Sequence, residues 1–489
     1  ATVVNAGTIA GQTDAVLFHS AGDVLVLESG ATFQGAVVGG DGTLELRGGA
    51  GTLTGIGAGA RISGSIATSV SGFGTYEIAS GRWSISGTNV LADHASLVTN
   101  TAVRVTGDFS AGVGAYVDAN ARLVFAGVTG SFAGEVGGRG DVTFLGGTQT
   151  FVGATYNGQF LFGEHVLLDH DRATLQGFVY SEGLTVNTAN LDVGAGGVTL
   201  VGGVVTLTDS SANRITGAAP SDAFTNDYAV ISGAGQLGGG SMQLANEAHG
   251  VIDGTGANAL VIDTGAAAIV NAGVIEASGA GGVVIASAVN GGGRLEANGG
   301  TLVADATVAA SQSGVIAAGV LAFGASFAGA VSFTGSAGEL RLAQSQTYTG
   351  SITGFAAGGG DKLDLRDIAF VSPTEASYSG TASKGVLTVS DGTHTAKITL
   401  IGDYLGDTFT AASDGAGGTA ITASAAPGAR TPSSALAAVH ADQGVRAPFA
   451  AAAHGFVAAA AGLTGGGASA VVMPSGAMTH FARLACPIA

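Results

Sequence analysis

Apolar and polar residues alternate in short runs along most of this chain, and glycine-centred turns separate the runs. Stretches such as "GTLELRGGAGTLTGIG", "GDVTFLGGTQTFVG" and "GGVTLVGGVVTLT" carry Val, Thr, Leu, Ile and Phe in the runs, with Gly, Asn, Asp and Ser between them. Each run is about four to six residues, too short for a helix, and no segment keeps a 3.6-residue period. The pattern predicts strands over residues 1 to about 335. A phrase recurs within it: Gly250-Val251-Ile252, Gly273-Val274-Ile275, Gly293-Arg294-Leu295 and Gly314-Val315-Ile316, at steps of 23, 20 and 21 residues. That is the length of one coil of a β-solenoid, whose strands bury their apolar face only by stacking on the next coil. The expected fold is all-β: a parallel β-helix of roughly 16 coils and about 75 Å, given coils stacked near 4.8 Å apart.

The remaining residues change character twice. From 336 to 425 all three lysines appear, Lys362, Lys384 and Lys397, and Asp391-Gly392 stands between two alternating runs, a strong hairpin signal. This interval is expected to be a small β module capping the solenoid, because an uncapped end offers unpaired strand edges. From 426 to 489 five of the seven prolines return and alanine dominates. A linker and a short helical or disordered tail, associated with secretion, is the expectation there. Asn5 in "NAGTI" and Asn271 in "NAGVI" precede equivalent bends, where an Asn can stack on the next coil in a structural ladder.

Composition narrows the function. The 86 glycines lack a three-residue period, which excludes collagen, and 46% hydrophobic against 11% charged residues is the reverse of a disordered chain. The formal charge of −18 argues against nucleic acid as a partner, since phosphate recognition needs clustered Lys and Arg. The best apolar span, 449–463, is short and interrupted by His454 and Gly455, so no transmembrane span is expected. Cys486 is the single cysteine, so no disulfide within the chain can form. The opening "ATVVNAGTIAG" reads as the middle of a repeat, which fits a removed leader, a fragment, or an export signal at the other end.

The stretch "IVNAGVIEASGAGGVVIASAVNGGGRLEANGGTLVA" resembles the repeats of large alphaproteobacterial secreted proteins of adhesin or haemagglutinin type. "NAGTIAGQTDAVLF" looks like autotransporter passenger repeats, and "GDKLDLRDIAF" through "SDGAGGTAIT" is similar to the closing block of such proteins and of type I secreted repeats-in-toxin proteins. The resemblance implies an extracellular or bacterial cell-surface location. The chain ends "FARLACPIA" with no barrel-forming strands, which points to a type I exporter rather than an autotransporter barrel. The calcium-binding nonapeptide does not repeat. Its nearest match begins at Gly359 and has Lys362 in the fourth place, where the motif has glycine.

Candidate chemistry is sparse. "LLDHDRATL" places Asp169, His170, Asp171 and Arg172 together, with Glu164 and His165 just before. In a continuous strand Asp169 and Asp171 would share a face and His170 would take the other. Two carboxylates and an Arg on a groove wall are what a polysaccharide lyase or hydrolase needs; a solvated turn is the plainer reading. Asp361, Asp364 and Asp367 beside a glycine-rich turn could hold calcium, or cap the turn and pair with Lys362 or Arg366. Arg139-Gly140-Asp141 spells an integrin-binding triplet but runs straight into a strand. Histidines lack zinc-site spacing. Trp83 and the phenylalanines are expected inside the solenoid. The functional expectation is a secreted structural or adhesive rod meeting extracellular polysaccharide or a host or cell surface by multivalent contact. The alternatives are a lyase or hydrolase at Asp169, Asp171 and Arg172, and a self-associating layer or filament protein.

Overall fold

A computed structural model describes residues 1–153, 159–163, 165–358 and 360–425. The expected linker and tail at 426–489, together with Glu164 and Gly359, lie outside the described residues. The described chain is a parallel β-solenoid of about 17 turns with no α-helix. At a strand spacing near 4.8 Å that makes a rod of about 80 Å.

Each central coil has three short strands, and each strand pairs in parallel with its counterpart one coil on. Arg214–Gly217, Gly235–Gly238, Leu260–Ile262 and Val283–Ile285 form one side. Ala223–Asn226, Gln243–Asn246 and Ile269–Asn271 form a second side. Ala229–Ser232, Val251–Gly254, Val274–Ala277 and the start of Arg294–Ala304 form the third. Alternation sets the inside: Ile231, Ile252, Ile275 and Leu295 stack in register and are fully buried. Their neighbours Val230, Val251, Val274 and Arg294 point outward. Coil length is elastic, from 17 residues between Gly314 and Val331 to 32 between Leu44 and Tyr76, because the corners and an early insertion absorb the difference.

The recurring glycine phrase is in phase for three of its four copies. In the fourth, Gly314 stands on Leu295 and Ile316 on Ala297, two residues out of step. A slip of two keeps the buried face, since side chains alternate with a period of two, and Ile316 remains buried.

Two kinds of stacking complete the interior. Phe109, Phe125, Phe132, Phe144, Phe151, Phe160 and Phe162 are fully buried. Phe125 and Phe144 stack with centroids 4.7 Å apart, Phe132 and Phe151 at 5.4 Å, and the two columns meet edge to face. Trp83 is also inside, donating its indole N–H to the Gly48 carbonyl at 3.0 Å. The second feature is a buried amide ladder at one corner. Asn226 Nδ2 donates to Asn246 Oδ1, Asn246 Nδ2 to Asn271 Oδ1, and Asn271 Nδ2 to Gln312 Oε1, each at 2.9 Å. Asn271 thus holds the ladder position expected of it. Asn5, on a different coil, serves its own turn instead, accepting from the Gly7 N–H and donating to the Thr32 carbonyl.

Antiparallel pairing enters in two places. Ala50–Thr54, Ala60–Gly64 and Thr68–Val70 fold back on one another as an insertion in an early coil. Past residue 336 the parallel ladder continues through Ser351–Thr353 and Lys362–Leu365. Beyond them Ala376–Gly380, Lys384–Ser390 and Thr395–Ile401 pair antiparallel, and Thr408–Ser413 pairs with Thr419–Ser424. Asp391-Gly392 does sit in a hairpin, but in a four-residue loop between Ser390 and Thr395 rather than a two-residue turn. The Asp391 carboxylate accepts the Thr393, His394 and Ala369 N–H groups, which hold it well below the usual carboxylate range.

Candidate functional site

The constellation at 169–172 is split by a corner. Strand Val166–Asp169 ends where His170 takes a left-handed backbone, φ 51°, and the next strand starts at Arg172. Gly127, Gly146, His170 and Thr188 fall at this corner in successive coils, all with positive φ. The turn resets the alternation, so Asp169 faces out while Asp171 is turned inward and buried. The expectation that both carboxylates share a face is therefore corrected. Asp169 is held by His170 Nδ1 at 2.8 Å and Asn187 Nδ2 at 2.7 Å. Asp171 accepts the Arg172 N–H at 2.7 Å, its other oxygen has no partner, and burial pushes its carboxyl up to about 6. The Arg172 side chain pairs with Asp192. These residues form a structural corner, not a shared groove wall.

The three aspartates considered for calcium are likewise separated. Asp361 is fully buried and accepts the Gly338 and Ala356 N–H groups at 3.0 and 2.8 Å, one on each oxygen. Asp364 faces Arg366 at 3.3 Å and Arg341 at 3.5 Å. Asp367 caps the short turn Ser345–Thr347 through the Ser345 and Gln346 N–H groups. Each carboxylate already has its own donors, so the structure does not bring the three together around one ion. The turn-capping and Arg366-pairing reading fits; Lys362 instead reaches Glu339 at 3.4 Å. Among the described residues no cluster of three acidic, His or Cys groups has metal-binding geometry. In Arg139-Gly140-Asp141 the Gly140 N–H is tied to the Ala119 carbonyl of the preceding coil, and a side chain at Gly140 would meet the Ala121 carbonyl at 2.3 Å.

Two arrangements that only the coil register creates were missed from sequence. The first is a carboxylate ladder on one side: Asp253 stands on Glu276 and Glu276 on Glu296. Their backbones are one coil step, about 4.8 Å, apart. Ser278 Oγ donates to Asp253, Asn298 Nδ2 to Glu276 at 2.6 Å, and Arg294 pairs with Glu296 at 2.9 Å. Burial, reinforced by Glu276, pushes Asp253 up to about 6, and burial also raises Glu296. A carboxyl whose pKa is raised by burial beside a second one is an arrangement capable of general acid and base chemistry.

The second is a shallow groove of about 410 Å³ on another part of the rod, lined by Arg82, Ser84, Ala102, Arg104, Arg122 and Val124. Trp83, Val103 and Leu123 stack inward in register, so the residues on either side of them project outward. All three arginines are exposed. The three lie about 20 residues apart, a separation that becomes a cluster only once coil length is known.

No protein-family model, curated protein or solved structure matches the chain. Among the described residues no helix is long and apolar enough to cross a membrane.

Proposed function

We propose that this chain is an extracellular or cell-surface structural or adhesive rod of the secreted adhesin or haemagglutinin type, acting through many weak contacts with polysaccharide or cell surface. The observation that carries this reading is the division of labour along each strand. Inward positions form one unbroken core, while outward positions are largely short and polar, as in Thr43, Glu45, Thr75, Ser84, Ser96 and Thr185. Such a surface repeats along the rod, so affinity would come from multiplicity more than from one deep pocket. The low charge density and the resemblance of the repeats support export, with residues 426–489 as the segment read by a type I exporter. The test is retention on immobilised neutral and acidic polysaccharides, comparing single chains with chains clustered on beads. Clustering should raise retention by at least about a hundredfold; equal retention would contradict the reading.

A second reading, a polysaccharide hydrolase, is favoured by the Asp253–Glu276 pair. Adjacent coils put the two residues one coil step apart on the same face, about 4.8 Å between backbones. From there their carboxyl groups are within reach of the roughly 5 Å separation of retaining glycosidases. Release of new chain ends that disappears in Asp253→Asn and Glu276→Gln would establish it. The multivalent reading is preferred because Ser278, Asn298 and Arg294 already occupy this ladder.

A further inference from the structure

We propose that the groove carrying Arg82, Arg104 and Arg122 is a binding site for a linear acidic polysaccharide, gripped through its carboxylate or sulfate groups. The inference deepens the surface-contact reading above and rests on it.

The placement follows from the register. Val103 stands on Trp83 and Leu123 on Val103, so Arg82 and Arg122 hold the same strand position two coils apart, with Ala102 between them. Arg104 lies two residues along the middle coil, between Ser84 and Val124. Two coil steps are about 10 Å and two strand residues about 6.6 Å, so the backbone fixes a triangle of three guanidinium groups. Its base is rigid: Trp83, Val103 and Leu123 are buried, and the Val103 N–H bonds the Arg122 carbonyl at 3.0 Å.

The charges there are unspent. Five arginines elsewhere are matched by an acid nearby: Arg47 with Glu45, Arg172 with Asp192, Arg294 with Glu296, Arg341 with Glu339, Arg366 with Asp364. Arg61 and Arg139 make no ion pair either, but neither lines the groove or is clustered with other cations there. Arg214 is satisfied by Gln236. The register neighbours of Arg82 and Arg104 are Ala50, Ala102, Ser84 and Val124, none of them charged, and Arg82, Arg104 and Arg122 make no ion pair. Asp141 follows Arg122 in the next coil without pairing to it and does not line the groove. A chain of formal charge −18 repels polyanions over most of its surface, so an acidic ligand is directed to the place where three cations are left open. Guanidinium forks suit planar or tetrahedral oxyanions.

The surroundings favour a glycan over other polyanions. The floor is small and neutral, and the groove is shallow, open to a polymer lying along the coil axis. Trp83 turns its ring inward, leaving no aromatic face on which a base could stack. Three arginines supply few of the phosphate contacts that duplex binding uses.

The test titrates the full chain with polygalacturonate, heparin, neutral dextran, polyphosphate and a short DNA duplex, at low and near-physiological salt. Polygalacturonate or heparin should bind and weaken with salt. Arg82→Ser, Arg104→Ser and Arg122→Ser should each lower that affinity about tenfold, as expected for loss of a charged hydrogen-bond donor. Arg214→Ser, which removes one exposed charge elsewhere, should change neither, and circular dichroism melts should show all four variants folded. Equal effects of Arg214→Ser and the groove variants would overturn the proposal, as would tighter binding of polyphosphate or DNA than of either acidic glycan. Retention on neutral polysaccharide with no response to acidic ones would overturn the groove site alone. Absence of retention on every polysaccharide would overturn the surface-contact reading with it.

Discussion

Replacing Asn246 with alanine tests whether the buried amide ladder holds the coils in register. In the folded chain Asn246 accepts from Asn226 and donates to Asn271, with further bonds to the Gly250 and Val274 carbonyls at 3.2 and 3.1 Å. Asn246→Ala leaves the Asn271 side-chain oxygen without its donor. It leaves the Asn226 Nδ2 with a single long contact, to the Val251 carbonyl at 3.4 Å, while the Asn226 Oδ1 keeps the Ala229 N–H. Both groups are fully buried. Each orphaned group costs about 1–3 kcal/mol, so the expected loss is about 3 kcal/mol. A solenoid couples mainly nearest neighbours, and the loss should stay local rather than shift one global transition. Amide hydrogen exchange is therefore the assay. Protection of strands Gln243–Asn246, Ile269–Asn271 and Val274–Ala277 should fall about a hundredfold, since 1.4 kcal/mol is one factor of ten. The comparison is Asn120→Ala, which removes a similar 2.9 Å amide bond, to Asn100, on the exposed surface. Water replaces that partner, and the change should stay within about 0.5 kcal/mol. Protection in Asn246→Ala within about threefold of the parent would refute the reasoning.

Other outcomes follow from the same structure. Phe144→Ala removes a ring packed against Phe125, Phe132 and Phe151. It should lower the local opening free energy of strands Leu123–Phe132 and Val142–Gly153 by about 3–5 kcal/mol, read by amide hydrogen exchange. A loss below about 1 kcal/mol would contradict the close-packed column. Asp171 is raised in the fold, so it binds more protons folded than unfolded between about pH 4 and 6, and its contribution falls as pH rises through that window. Asp171→Asn keeps the acceptor for the Arg172 N–H and removes the buried charge. Its stability relative to the parent should rise from near zero at pH 4 to about 3 kcal/mol at pH 8; a pH-independent difference would refute the assignment. Calcium or chelator should leave the melting temperature unchanged, because Asp361 and Asp367 accept from separate N–H donors and Asp364 pairs with Arg366 and Arg341. A rise of several degrees with calcium would show the three converging on an ion.

Much of the fold was legible because the solenoid writes one pattern many times. Alternation in Val251–Gly254 and Val274–Ala277, and the glycine spacing between them, are enough to set a coil length and an inward face. The fourth copy at Gly314 shows the limit: a slip of two is silent in the alternation, so the pattern specifies the face but not the register. The corner at His170 marks another. Glycine supplies the left-handed turn at Gly127 and Gly146, but His170 and Thr188 adopt it with no sequence signal, and the face of Asp171 reverses there. The change in composition at 336 precedes the change in pairing, because Lys362–Leu365 still continues the parallel ladder. Both arrangements missed from sequence, the Asp253–Glu276–Glu296 ladder and the Arg82–Arg104–Arg122 groove, depend on pairing residues a full coil apart.

The measurement that bears most directly on the functional account is prolonged incubation of the full chain with neutral and acidic polysaccharides, with and without calcium. Both retention and newly formed chain ends are scored. The account predicts retention that grows with clustering and no new ends. New ends abolished by Asp253→Asn and Glu276→Gln, or by Asp169→Asn and Asp171→Asn, would contradict it and make the rod an enzyme.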